Sequence, residues 1–181
     1  KSQKSRQLNK CHKGVSNPLF KCYNMCITKE NPMTPDDTNQ TFLRRYVDDY
    51  CKALDENYKQ DTVRSLEHNL QRDPECTYSA EQLVKIMQGK AKLDKFRYYE
   101  GKKYIKVVRE QYDEREDRWR DTTVHAFIGI AKDILGNVYK PASWKAPATK
   151  HVRYSFCNKQ DLLFLTDPRC VGWAGGYLYL R

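Results

Sequence analysis

An α+β fold, with an N-terminal extended arm and helices followed by a small antiparallel β-sheet module, is what three features of this chain predict. Apolar and aromatic residues recur at three- and four-residue spacing from Phe42 to Tyr58, the signature of a helix face. Beyond residue 95 the pattern shortens to the alternation of strands around Gly-containing turns. The first 32 residues carry little hydrophobic periodicity, three cysteines and Pro18 and Pro32, so they read as an arm that orders on a partner. The expected organisation is therefore 1–33 as a basic, cysteine-containing arm, 34–90 as a helical segment and 91–181 as a small β-rich module.

The arm ends at Thr34-Pro35-Asp36-Asp37. Thr34 is suited to cap a helix, Pro35 to occupy its first position, and the two acids to lie against its dipole. Phe42, Leu43, Tyr46, Val47, Tyr50, Leu54 and Tyr58 then form one aromatic-rich stripe, predicting a helix over 35–59 whose other face carries Arg44, Arg45, Asp48, Asp49, Lys52 and Glu56. Val63, Leu66 and Leu70 predict a second, shorter helix stopping near Asp73-Pro74. A third is expected from Ser79, with Gln82 completing a capping box, to Gly89.

Phe96–Glu100 and Tyr104–Val108 flank Gly101 and predict a hairpin. From Asp113 to Asp121 eight of nine residues are charged, which predicts a solvated loop or strand extension. Strands are expected to resume at Val124–Ile128 and Asn137–Lys140, and the glycine-spaced tail from Cys170 predicts a turn and a short edge strand.

Composition narrows the function. Apolar residues are 39% and charged residues 31% of the 181, so a core can form beneath an unusually charged surface. The longest apolar run, Ala126–Ala131, is six residues, far below the ~20 of a membrane helix; no membrane span is expected, and Lys1–Gln7 lacks the apolar centre of a signal peptide. The net charge is +10: residues 1–32 contribute +6, 33–76 contribute −4, 77–121 contribute +3 and 122–181 contribute +5. Such a balance favours a polyanionic or acidic neighbour.

Catalytic signatures are sparse. The phosphate-binding loop and the dinucleotide fingerprint are absent, and none of the four histidines accompanies a nucleophile elbow. His125, inside an expected strand, reads as a half-buried histidine bonded to a backbone carbonyl. Asp36-Asp37 and Asp48-Asp49 are adjacent pairs, which point about 100° apart on a helix and cannot form a dyad. No enzyme and no cofactor are therefore expected. Cys11, Cys22 and Cys26, with His12 beside the first, are candidates for disulfides or for zinc. Zinc has the weaker pattern, because adjacent Cys11 and His12 form no chelating turn. The seven cysteines leave at least one thiol unpaired. Asn39-Gln40-Thr41 matches a glycosylation sequon on the expected first helix.

Basic and aromatic residues interleave in Lys140, Trp144, Lys145, Lys150, His151, Arg153 and Tyr154, a composition that grips phosphate and stacks on bases. The same residues equally serve as lysine stems laid over a small aromatic core. Val138-Tyr139-Lys140 runs into Pro141, which cannot donate to a ladder; with Trp144 as anchor and Pro147 stiffening the exit, this predicts a rigid turn pinned by an aromatic.

The segments Val124-His125-Ala126-Phe127-Ile128, Gly136 through Ala148 (reading Tyr139-Lys140-Pro141-Ala142-Ser143-Trp144-Lys145-Ala146-Pro147), Val152-Arg153-Tyr154 and Trp173-Ala174-Gly175-Gly176-Tyr177-Leu178-Tyr179 resemble a family of small, uncharacterised proteins of tailed bacteriophages and large DNA viruses. Lys103-Tyr104-Ile105-Lys106-Val107 fits that family's preceding strand. The resemblance covers residues 95–181; the longer Gly129–Gly136 connection and the segment carrying Cys157 and Cys170 depart from it. It implies a viral structural protein, a minor capsid or cement-type component of the virion that contacts other capsid proteins through its arm and helices. Tyr139, Lys140, Trp144, Lys145, Arg153, Trp173 and Tyr177 become candidate interaction or structural anchors. The alternative expectation is a small basic accessory protein that binds nucleic acid.

Overall fold

A computed structural model describes residues 35–179 of the chain, with side chains described from residue 40. Helix α1 spans Pro35–Arg72 and α2 spans Thr77–Met87. Five strands follow: β1 Lys95–Glu100, β2 Tyr104–Asp113, β3 Arg118–Gly129, β4 Asn137–Tyr139 and β5 Tyr154–Ser155. Helix α3, Lys159–Leu165, and a 3₁₀ turn, Gly176–Leu178, complete the described chain. The sheet is an antiparallel meander in the order β1-β2-β3-β4-β5. The α+β class follows directly.

The helical segment and the β-rich module share one core. From α1 come Leu43, Val47, Tyr50, Cys51 and Leu54; from the sheet come Phe96, Ile105, Val107, Ala126, Ile128 and Val138; Phe156, Leu165, Val171 and Leu178 close it. Strand alternation selects the sheet's contribution, since Ile105, Ile128 and Val138 are register partners across β2, β3 and β4, as are Val107 and Ala126. The tyrosine stripe of α1 is thus mainly core: Tyr50 is fully buried, while Tyr46 and Tyr58 pack at the margin.

Several expectations are corrected. The two helices expected on either side of residue 60 are one, because Tyr58–Val63 contains neither Gly nor Pro and Thr62 satisfies its hydroxyl on the Tyr58 carbonyl at 2.8 Å; the end near Asp73 is as expected. Helix α2 begins two residues before Ser79, which is buried within its first turn and accepts a hydrogen bond from the Cys76 thiol at 3.3 Å. Strand β3 starts at Arg118 rather than Val124, because the charged block pairs across strands. Asp113 faces Arg118 in the ladder, and Arg120 Nε lies 3.2 Å from Asp113 Oδ2. Tyr112 and Trp119, also register partners, meet edge to face at 5.4 Å, with Lys92 and Lys95 over their rings. The tail turns as a 3₁₀ helix instead of an edge strand, so that Tyr177 and Leu178 point into the core. Helix α3 has no counterpart among the sequence expectations; its cap, Asn158, accepts from the amides of Gln160 and Asp161.

The arm, with Cys11, Cys22 and Cys26, lies outside the described residues. Among the described residues Cys51, Cys76, Cys157 and Cys170 are free thiols, no His/Cys/Asp/Glu group is arranged to hold a metal, and no helix is long and apolar enough to cross a membrane.

Candidate nucleic-acid interface

With α1 on one face of the sheet, the other face is built from the residues between the core positions. Register places Tyr99 opposite Lys106, Lys106 opposite Phe127, and Phe127 opposite Tyr139, a row crossing β1 to β4. Phe127 and Tyr139 are buried, and Tyr104 meets both edge to face, at 6.2 and 6.0 Å. After β4 the chain folds back through a bridge between Pro141 and Pro147, with the Ala148 amide donating to the Lys140 carbonyl at 2.9 Å. The turn, expected to be pinned by Trp144, is instead closed by these backbone contacts and leaves the indole exposed beside Lys106, whose Nζ lies 4.6 Å from the indole centroid and 5.8 Å from the Tyr99 ring.

The result is an open groove of about 470 Å³ with Tyr104 and Phe127 among its lining residues. Trp144 and Tyr99 line it too, 41% and 47% exposed. Lys102 and Lys103 reach it from the β1–β2 turn, and Lys145 from the Trp144 turn. Its acidic residue, Glu100, is engaged by Arg44 through two bonds of 2.8 and 3.0 Å; these hydrogen bonds hold the carboxyl below its ordinary value. Tyr99 is oriented by its hydroxyl, which donates to Asp121 Oδ1 at 3.2 Å. Positive charge and aromatic surface thus coincide on one face.

The sequence-predicted anchors divide. Trp144 and Lys145 belong to this groove, and Tyr139 lies buried in the same cross-strand row. Lys140 turns elsewhere, its Nζ 4.2 Å over the Tyr179 ring. Arg153 enters β5 with its amide bonded to the Val138 carbonyl at 2.9 Å, while its Nε and one terminal nitrogen are buried without a hydrogen-bond partner. Trp173 fastens the tail to α1: its indole donates to Asp61 Oδ2 and its amide to Asn57 Oδ1, both at 2.9 Å. Tyr58 meets its ring edge-on and Arg109 lies 4.7 Å over it. Tyr177 is internal, its hydroxyl bonded to that of Tyr50 and 2.9 Å from His125 Nε2. Tyr99, Tyr104, Lys106 and Lys102–Lys103 were missed as site residues. The alternation Tyr99, Lys106 across the expected hairpin was the available signal.

His125 is buried and bonded to a tyrosine hydroxyl rather than to the expected backbone carbonyl. Burial, reinforced by the nearby charge of Arg109, lowers its pKa to about 3. The concavity beside it is lined by Arg109, Thr123, Trp173 and Tyr179, among others, and contributes no carboxylate or thiol to the imidazole. The Tyr50–Tyr177–His125 chain is a neutral network in which burial raises both phenols and which locks the tail to the sheet and α1.

This network has a pH signature. Because the folded pKa of His125 is below the unfolded value of about 6.5, the unfolded chain takes up a proton that the folded one refuses, and stability falls as pH drops below that value. Between pH 7 and pH 5 the loss from this residue is about 2 kcal/mol. Urea unfolding at the two pH values checks it: His125→Gln is expected to reduce the pH-dependent loss by that amount, and equal losses in both proteins would refute the assignment.

Comparison with curated proteins and with solved structures returns no match. A family model described as a family of unknown function (DUF7717) matches residues 28–180, a span that takes in both long helices and the whole described sheet. By that match, over more than half of its length, the chain belongs to the DUF7717 family of unknown function.

Proposed function

We propose that this chain is a viral accessory protein that binds nucleic acid through the outer face of its sheet and acts by binding, without catalysis. The observation that carries this reading is the meeting of Tyr99, Lys106 and Trp144 between the lysines at residues 102, 103 and 145. Cations beside exposed rings suit phosphates beside bases, and the net charge of +10 favours the encounter. The viral setting is supported by the resemblance in residues 95–181.

The test is titration of a labelled oligonucleotide with the full chain over a range of salt. Saturable binding that weakens linearly on a log–log salt plot is expected. Reversing Lys102, Lys103 and Lys145 to glutamate together should weaken it at least about tenfold and flatten the slope, whereas Lys52→Glu, on the exposed side of α1, should change it little. Binding indifferent to the triple reversal would overturn the reading.

A second reading, a minor capsid or cement-type component of the virion, is favoured by α2, where Tyr78, Val84 and Met87 stand 66, 50 and 86% exposed. Such side chains suit burial against neighbouring capsid proteins. Retention in genome-free shells, with cross-links from residues 77–87 to capsid proteins, would favour this reading. Departure with the genome would favour the first.

A further inference from the structure

We infer that the groove takes a single strand, DNA or RNA, with one base stacked on Trp144 and a second on Tyr99 while the backbone passes the lysines at its rims. This rests on the nucleic-acid reading above and narrows its ligand. Two other rings of the same cross-strand row are enclosed: Phe127 is 4% and Tyr139 3% exposed. Trp144 and Tyr99, in the same groove, leave nearly half of their surface in water.

Both rings are held before any ligand arrives. The Lys106 ammonium lies against each of them, the Tyr99 hydroxyl is bonded to Asp121, and the turn bearing Trp144 is closed by the Pro141–Pro147 bridge. Rings fixed in advance bind with less ordering cost. Their free faces can be covered by an unpaired base, which offers a π-face of similar size. A duplex buries its base faces against one another and presents only edges and phosphates, so it would meet the lysines and leave the rings wet. The charge layout agrees: Lys102 and Lys103 reach the groove from the β1–β2 turn, Lys145 from the Trp144 turn, and Lys106 sits between the two exposed rings. Glu100 is neutralised by Arg44.

The experiment uses the full chain with labelled oligo(dT), oligo(rU) and a mixed-sequence duplex of equal length at one salt concentration. At least one single strand is expected to bind about tenfold or more tightly than the duplex. Trp144→Leu and Tyr99→Leu should each cost about tenfold on the single strand and little on the duplex, with Trp144→Tyr recovering most of the loss. Tryptophan emission should be quenched by the single strand in the parent and much less in Trp144→Tyr. Circular dichroism confirms that each variant is folded. If Trp144→Leu is not, the comparison of quenching in the parent and Trp144→Tyr decides alone, and equal quenching overturns the inference. Equal affinity for strand and duplex, still lost on lysine reversal, overturns the stacking inference and leaves the proposed function standing. Failure of the parent to bind any of the three overturns both.

Discussion

Replacing Phe96 by alanine is expected to lower the free energy of unfolding by about 3–5 kcal/mol, measured as a reduced urea midpoint at unchanged slope. Phe96 is wholly buried in the core shared by α1 and the sheet, and its ring meets the His125 imidazole edge to face at 5.1 Å. Its amide also donates to Asp55 Oδ1 at 2.6 Å, tying the start of β1 to α1. Alanine keeps that backbone bond, so the loss isolates the side chain: the transfer of the ring from water and the void it leaves among rigid neighbours. For a domain whose total stability is on the order of 5–15 kcal/mol, this is a large share. A change under about 1 kcal/mol would show that the site collapses or is solvated.

Gly129→Ala is expected to be at least as damaging, for a steric reason. A β-carbon there would lie 2.2 Å from the Ile134 carbonyl oxygen and 2.9 Å from Ile134 Cγ1, and the oxygen belongs to the backbone, which has no side-chain freedom to retreat. The Gly136 amide bonds to the Gly129 carbonyl at 2.9 Å, closing the connection that returns the chain into β4. Relief of the clash must move that connection, and with it the Val138 position in the core. A loss of about 3 kcal/mol or more is expected from thermal or urea unfolding. Gly172→Ala, where nothing lies within 4 Å of the added carbon, should stay within about 0.5 kcal/mol. Similar effects from the two would contradict the close approach at Gly129.

What was legible in the sequence was whatever the local period encodes. The α1 stripe from Leu43 to Leu54, the first hairpin about Gly101 and the closed turn between Pro141 and Pro147 rest on spacing, glycine and proline, and each is found where those signals lie. What was obscured depends on partners distant in the chain. Trp173 and Tyr177 read as interaction or structural anchors, and which of the two was not legible because aromatic residues near glycines do not declare a face; their destinations, Asn57, Asp61, Tyr50 and His125, lie more than fifty residues away. The charged block after Tyr112, expected as a solvated loop or a strand extension, extends β2 and β3 about a turn, a choice visible only once the register is known. The groove was half legible. Trp144 and Lys145 stood out by composition, whereas Tyr99 and Lys106 are brought to them by strand pairing that a linear pattern does not specify.

The closure of α1 by the tail bears on how the protein comes to be made. The five strands pair in chain order, so each finds its partner among its sequence neighbours. Helix α1 is made before the sheet, yet Tyr50 finds the Tyr177 hydroxyl, and Asn57 the Trp173 amide, only after more than a hundred further residues have been added. The side of α1 that carries Tyr50, Asn57 and Tyr58 therefore lacks its tail cover, beyond what the sheet supplies, until residues 171–178 have been added. A nascent chain stalled before Val171 would leave that side only partly covered, open to chaperones or to another copy of itself, and the segment from Val171 to Leu178 acts as the latch that closes it.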